Sequence, residues 1–152
     1  MSEWNEEFLA ALTKVRQENI ARLLIRSFRV LEERILQRLS ELGHAEIRMV
    51  HLTLLRNIDL EGTRITDIAD RAQLTKQAIG QLTKQCEEAG YVYRVPDPTD
   101  GRASIVRFTE KGRTLMLQVV ELWSWIDEEL VRQIGERRLA TLKSTLRMIV
   151  QP

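Results

Sequence analysis

The chain has 152 residues, 43% of them apolar and 30% charged, and a formal net charge of +1. That length suits one compact domain or a small domain with helical extensions, and it argues against a multidomain enzyme. The near-neutral balance carries no global attraction for nucleic acid. The single cysteine cannot form an internal disulfide, and with no signal peptide and no apolar run near eighteen residues the chain reads as a soluble, cytoplasmic protein.

The amino-terminal region places Trp4, Phe8, Leu12 and Val15, then Ile20, Leu24, Phe28, Leu31, Ile35, Leu39 and Leu42, at steps of three and four. This describes a long amphipathic helix, broken near Gln17 to Asn19 and ended by Gly43. Its polar face is basic through Arg22, Arg26, Arg29, Arg34 and Arg38, set against Glu32 and Glu33. Solvation and helix pairing account for such a face more readily than DNA contact does. A second helix is expected over His44 to Ile58 with Ile47, Val50, Leu54 and Ile58 on one face, then a polar connection to Thr63 and a one-bridge strand at Arg64 and Ile65. His44 and His51 have no cysteine or acidic cluster at metal-ligand spacing, so they read as surface or interface histidines, and neither a metal nor a cofactor is implied.

Thr66 is placed to cap a short helix running to about Ala72, with Asp67 just inside it to complement the helix dipole. Leu74 and Thr75 repeat the arrangement ahead of a helix from Lys76 to Ala89 that Gly90 closes. Two short helices joined this way make a helix-turn-helix. In the second one Ile79, Leu82 and Cys86 form the buried face, and Lys76, Gln77, Gly80, Gln81 and Lys84 form an exposed face that carries no acid. Lys and Gln reach phosphates and base edges in a major groove. Tyr91 to Val95 and Ala103 to Phe108 are β-like runs on either side of a turn cluster, Pro96 to Gly101, so a hairpin follows the helix pair directly. Arg102 stands at the base of its tip, suited to a narrow minor groove. From Arg64 to Arg113 nine Lys or Arg face seven Asp or Glu, so charge alone does not propose DNA binding.

Thr109 caps a long helix from Glu110 striped with Leu115, Val119, Leu122, Trp123, Ile126 and Leu130. Gly135 breaks it, and a last helix carries Leu139, Leu142, Leu146, Ile149 and Val150. Trp123 and Trp125 cannot both face the same way. The two terminal regions present more apolar surface than a core of this size covers, and the simplest supplier of a partner is a second copy of the chain. Cys86, on an apolar face, reads as buried core rather than as a redox-sensing thiol.

The run from Ile65 to Gly112 resembles the DNA-binding core of the multiple antibiotic resistance regulator (MarR) family of bacterial winged-helix repressors. The resemblance rests on the ITDIADRAQLTKQAIGQLTKQCEEAGYV helix pair, the Asp-x-x-Asp-x-Arg tip of Asp97, Asp100 and Arg102, and the VRFTEKGR strand-to-helix junction. The flanking helices extend it over nearly the whole chain. Thr99 departs from it, standing where the family often has a basic residue, as do Gly80 and Gln81, where Ser or Thr and Arg are common.

The resemblance implies a mainly α fold with a small β-hairpin wing: dimerisation helices over 1–43, a winged helix-turn-helix core over 44–109 and further dimerisation helices over 110–152. It implies no enzyme. The expected function is that of a ligand-responsive repressor, binding a pseudo-palindromic double-stranded DNA operator as a homodimer. Thr75, Lys76, Gln77, Gly80, Gln81 and Lys84 would lie at the major groove and Asp100 and Arg102 in the wing. A small aromatic or anionic effector would sit between the dimerisation helices and the core, with Arg26, Arg29 and His51 as polar anchors, and no membrane is involved. The alternative is a winged helix that binds another protein, on which Arg102 and an acid-free helix face would be wasted. As an enzyme the chain offers Cys86 with His44 or His51 and little else.

Overall fold

The computed structural model describes residues 5–150, apart from the side chains of Gln17 and Glu18; Trp4 lies outside the described residues. Asn5 opens helix α1, Glu6–Glu18, by accepting the Phe8 N–H at 2.8 Å. The expected break falls at Asn19, whose extended backbone ends α1 and whose side chain accepts the Ala21 N–H at 2.9 Å, starting α2, Ile20–Glu41. The chain divides into two compact units, residues 1–35 and 36–152, the division falling within α2.

In the second unit α3 is shorter than expected. It spans Met49–Leu55, and residues 44–48 make a turn closed by Ile47 N–H to the His44 carbonyl. The buried face of α3 is accordingly His51, Leu52, Leu54 and Leu55, while Val50, assigned to the apolar face from its spacing, is 49% exposed. A two-residue strand β1, Thr63–Arg64, precedes α4, Ile65–Ala72, and α5 covers Lys76–Glu88. β1 sits one residue before its expected place. Since Arg64 is both in β1 and the N-cap of α4, Thr66 falls inside the helix and caps nothing; its hydroxyl turns to Asp67 instead.

Strands β2, Val92–Pro96, and β3, Ser104–Phe108, pair antiparallel with Val92 opposite Phe108, and β1 adds to the other edge of β3 with Arg64 opposite Ile105. Helix α6 spans Glu110–Ile134 and α7 spans Glu136–Val150, separated at Gly135. Trp123 is 37% exposed whereas Trp125 turns inward under the Arg38 guanidinium, 5.0 Å from the ring centroid. The fold is thus mainly helical with a small hairpin wing, as expected.

One junction holds these pieces in register. Thr109 caps α6 by accepting the Gly112 N–H at 3.1 Å, donates its hydroxyl to the Gly90 carbonyl at 2.6 Å and donates its own N–H to the Tyr91 carbonyl at 3.0 Å. Gly90, at φ +78°, is the left-handed residue that turns the chain from α5 into β2. Gly112 lies so near that a Cβ there would stand 2.0 Å from the Tyr91 carbonyl oxygen. The Tyr91 ring is fully buried, its hydroxyl donates to Glu46 at 2.8 Å, and Lys111 donates to Glu46 and to the Ala89 carbonyl, each at 2.9 Å. Because the tyrosine proton goes to the carboxylate, His44 Nδ1, 2.8 Å from the same oxygen, is the donor of that bond, and His44 Nε2 meets the Gln118 amide at 2.8 Å. His44 is therefore a buried linker between the core and α6, not a surface histidine.

The junction predicts the effects of changes at Gly112 and Glu46, and Gly80 on α5 serves as the contrast. Gly112→Ala forces backbone apart and should cost roughly 3 kcal/mol, read as a shift in urea midpoint. Gly80→Ala, where an added Cβ meets nothing within 4 Å, should be neutral or stabilise the helix by about 1 kcal/mol. The Lys111 ammonium, with Glu46's own N–H and the Tyr91 hydroxyl, holds the Glu46 carboxyl down at about 2 from an ordinary 4.5. A carboxyl depressed on folding stabilises above its ordinary value, and that contribution is lost as pH falls through the folded one. Thermal unfolding between pH 4.5 and pH 2 should therefore decline more steeply for the wild type than for Glu46→Gln; parallel curves would remove Glu46 from the balance.

Candidate nucleic-acid interface

Helix α4 ends at Gln73, which takes the left-handed conformation at φ +54° and so makes the tight turn. That conformation costs a non-glycine residue of the order of 1 kcal/mol, and it is held by Leu74 N–H bonding back to the Ala69 carbonyl at 3.0 Å. No sequence signal marked it. Thr75 then caps α5 as expected, its hydroxyl accepting the Ala78 N–H at 3.1 Å.

On α5 Ile79 and Cys86 are buried, Leu82 is half-buried, and Thr83 completes the inner face. Thr83 was not foreseen there because its polarity hides its role: the hydroxyl donates to the Ile79 carbonyl at 2.7 Å and leaves only the methyl to pack. The opposite face exposes Lys76, Gln77, Gln81 and Lys84 side by side. Gly80 lies among them with open space beyond it, so the fold does not require a glycine there, although glycine weakens a helix. Lys84 leans toward Glu88 at 3.8 Å, so the acid-free surface is strongest in the first two turns.

The wing is clamped from below. Asp97 N–H bonds the Ala103 carbonyl at 3.0 Å and closes the hairpin, and the Asp97 side chain folds inward to 2% exposure. One carboxylate oxygen accepts both the N–H and the hydroxyl of Thr99, each at 2.7 Å; the other accepts Arg64 Nε at 2.5 Å. Arg64 Nη2 also donates to the Thr99 hydroxyl at 2.8 Å. The Thr99 N–H first, and then Arg64, hold the Asp97 carboxyl far below the ordinary range. Asp100 also restrains the tip by accepting the Arg102 N–H at 3.0 Å, but as an exposed group it is the lesser of the two. The Asp-Pro-Thr run was a signal for Asp97, since an aspartate commonly binds backbone two residues on. Arg102 is exposed, and its side chain has neither a hydrogen bond nor an ion pair among the described residues. Below the wing, Arg94 and Glu87 join β2 to the end of α5 with a 2.6 Å ion pair, which at this exposure is worth at most about 1 kcal/mol.

The remaining candidates are divided between the two units. Arg26 and Arg29 are exposed on α2 within the unit 1–35. His51 belongs to the other unit, where it is buried. Its Nδ1 accepts the Arg48 N–H at 3.3 Å, leaving Nε2 to donate to Gln85 at 3.0 Å. With Glu46, Arg48, Gln85, Cys86 and Tyr91 it lines a hollow of about 510 Å³ beside α5. Burial pushes the Cys86 thiol up to about 11, which keeps it protonated. Among the described residues no group of three or more His, Cys, Asp or Glu is placed to hold a metal ion, and no helix is long and apolar enough to cross a membrane.

This geometry agrees with what the chain is similar to. Residues 47–103 match the MarR family. An uncharacterized HTH-type transcriptional regulator of Bacillus subtilis, YxaD, is 26% identical over 96 residues, covering 55% of this chain and 67% of that protein. The reduced form of MarR from E. coli has a TM-score of 0.75 at 21% identity, covering 88% of this chain and 96% of that one. CouR from Rhodococcus jostii RHA1, solved bound to p-coumaroyl-CoA, has a TM-score of 0.66 at 24% identity, covering 89% and 94%. Residues 47–103 are thus a MarR-family winged helix-turn-helix domain, set in a chain with the fold of MarR-family transcriptional regulators.

Proposed function

We propose that this protein is a sequence-specific double-stranded DNA-binding repressor, active in the cytoplasm as a homodimer on a pseudo-palindromic operator. The observation that carries the reading is the pairing of two cationic surfaces in one winged helix. One is the exposed face of α5 formed by Lys76, Gln77, Gln81 and Lys84, with Thr75 at its capped end; the other is a clamped wing with Arg102 free at its tip. Gly80 supports it, since a glycine that packing does not need lets backbone approach a groove. Asp100 serves the wing by binding the Arg102 N–H.

The homodimer is supported by apolar side chains left exposed in both units: Leu9, Val15, Leu23 and Ile25 in one, and Leu142, Ile149 and Val150 of α7 in the other. A two-fold dimer would present its α5 helices to successive major grooves, with half-site centres about 10 base pairs apart. Selection of sites from random DNA, followed by footprinting, should give a symmetric site protected by a dimer. A folded monomer on a single half-site would overturn the reading. Arg102→Ala should weaken binding by about 1–3 kcal/mol and lower the salt dependence by about one unit per wing, with folding unchanged; an unaltered salt series would take the wing out of DNA readout.

A small aromatic or anionic effector belongs to the same reading. CouR, a protein of this fold, is bound to p-coumaroyl-CoA, and Arg26, Arg29 and His51 are the polar groups offered here. Titrating the protein–DNA complex with a panel of aromatic carboxylic acids and acyl thioesters should release DNA with at least one of them. Uniformly unchanged affinity would leave a regulator governed by its abundance.

A further inference from the structure

We infer that Arg64 is a wing-positioning residue: acting through Asp97 and Thr99, it ties the wing tip to the start of the helix-turn-helix and so sets where Arg102 stands relative to the α5 face. This rests on the proposed DNA-binding function. Arg64 is suited to the task because its backbone is already fixed twice, paired with Ile105 of β3 and capping α4. Its side chain then reaches across to the tip, to Asp97 at 2.5 Å and Thr99 at 2.8 Å.

The tip has little else to hold it. Pro98, Thr99, Asp100, Gly101 and Arg102 are all exposed and contribute no packed apolar anchor. Two backbone bonds, Asp97 to Ala103 and Ala103 to Asp100, close the hairpin on itself but do not tie it to the helices. Arg64 supplies that tie, and the 2% exposure of the Asp97 side chain makes its cation hard to dispense with, since a buried carboxylate without its partner is costly. A direct phosphate contact is the competing role for a cation at this edge. It is disfavoured because Arg64 already serves Asp97 while Asp67 and Asp100 add negative charge around it.

The test is a double-mutant cycle with a structural readout, on the full-length protein and the DNA site it selects. Arg64→Ala should lower affinity at least about fivefold, yet cost little further in an Arg102→Ala background, because both act through one contact. In the free protein, ¹⁵N relaxation should show the amides of Thr99 to Arg102 becoming mobile while those of α5 keep their order. Arg64→Lys, which can reach Asp97 but cannot span to Thr99 as well, should recover part of both effects. Asp97→Asn keeps an acceptor for Thr99 and weakens the pair, and it should reproduce the phenotype if Arg64→Ala fails to fold. Additive losses with a reduced salt slope would show a phosphate contact and overturn the inference. So would an ordered tip in the Arg64 variant, or a drop in melting temperature with DNA affinity intact. If the wild type bound no DNA the proposed function would fall, while the relaxation data would still decide whether Arg64 holds the tip.

Discussion

The Tyr91 carbonyl oxygen is the point on which the second unit depends. It accepts the Thr109 N–H, faces Gly112 at a distance that excludes any side chain, and belongs to a residue whose ring is wholly buried and whose hydroxyl is bonded to Glu46 and His44. The end of α5, the start of β2, the end of β3 and the first turn of α6 therefore meet within one van der Waals layer. Interiors at native density transmit such a constraint rather than absorb it. Helix α5 cannot tilt without moving β2, and β2 cannot move without α6.

A second constraint is electrostatic and local. The chain is nearly neutral overall, so it carries no general attraction for a polyanion. Several are committed within the core: Arg64 to Asp97, Arg71 to Asp59, Arg94 to Glu87 and Lys111 to Glu46. On the winged helix Lys76 and Arg102 are among the cations without an ion-pair partner among the described residues, and these two stand on the surface proposed to meet DNA. Attraction to a duplex in such a protein would come from where charge is placed rather than how much there is, and the rigidity of the wing then matters as much as its charge.

The hollow beside α5 joins these themes. His51 and Gln85 bridge α3 to α5 across it, and Glu46 and Tyr91 connect it to the junction with α6. A change there would bear directly on α5, because His51 and Gln85, which line it, bridge α3 to that helix.

Features that depend on neighbours in the chain were legible in the sequence. Thr75 and Thr109 cap their helices because a cap needs only the next three residues, and the break at Asn19, the turn at Gly90 and the hairpin over 92–108 are likewise local. Periodicity placed Ile79 and Cys86 inside and Lys76, Gln77 and Gln81 outside, since an amphipathic helix that packs on one side has little choice. Other features waited for tertiary structure. The pairing of Arg64 with β3 moved the start of α4 and displaced Thr66 from its cap, and the turn at 44–48 rotated α3 so that Val50 faces out. The sequence reads His44 and His51 as surface or interface groups, and their burial stays hidden because their partners, Tyr91, Gln118 and Gln85, lie 34 to 74 residues away. The same separation, 33 residues, concealed the bond between Arg64 and Asp97. Where a buried polar side chain is satisfied from far along the chain, as His44 and His51 are, no local pattern records which partner the fold will bring.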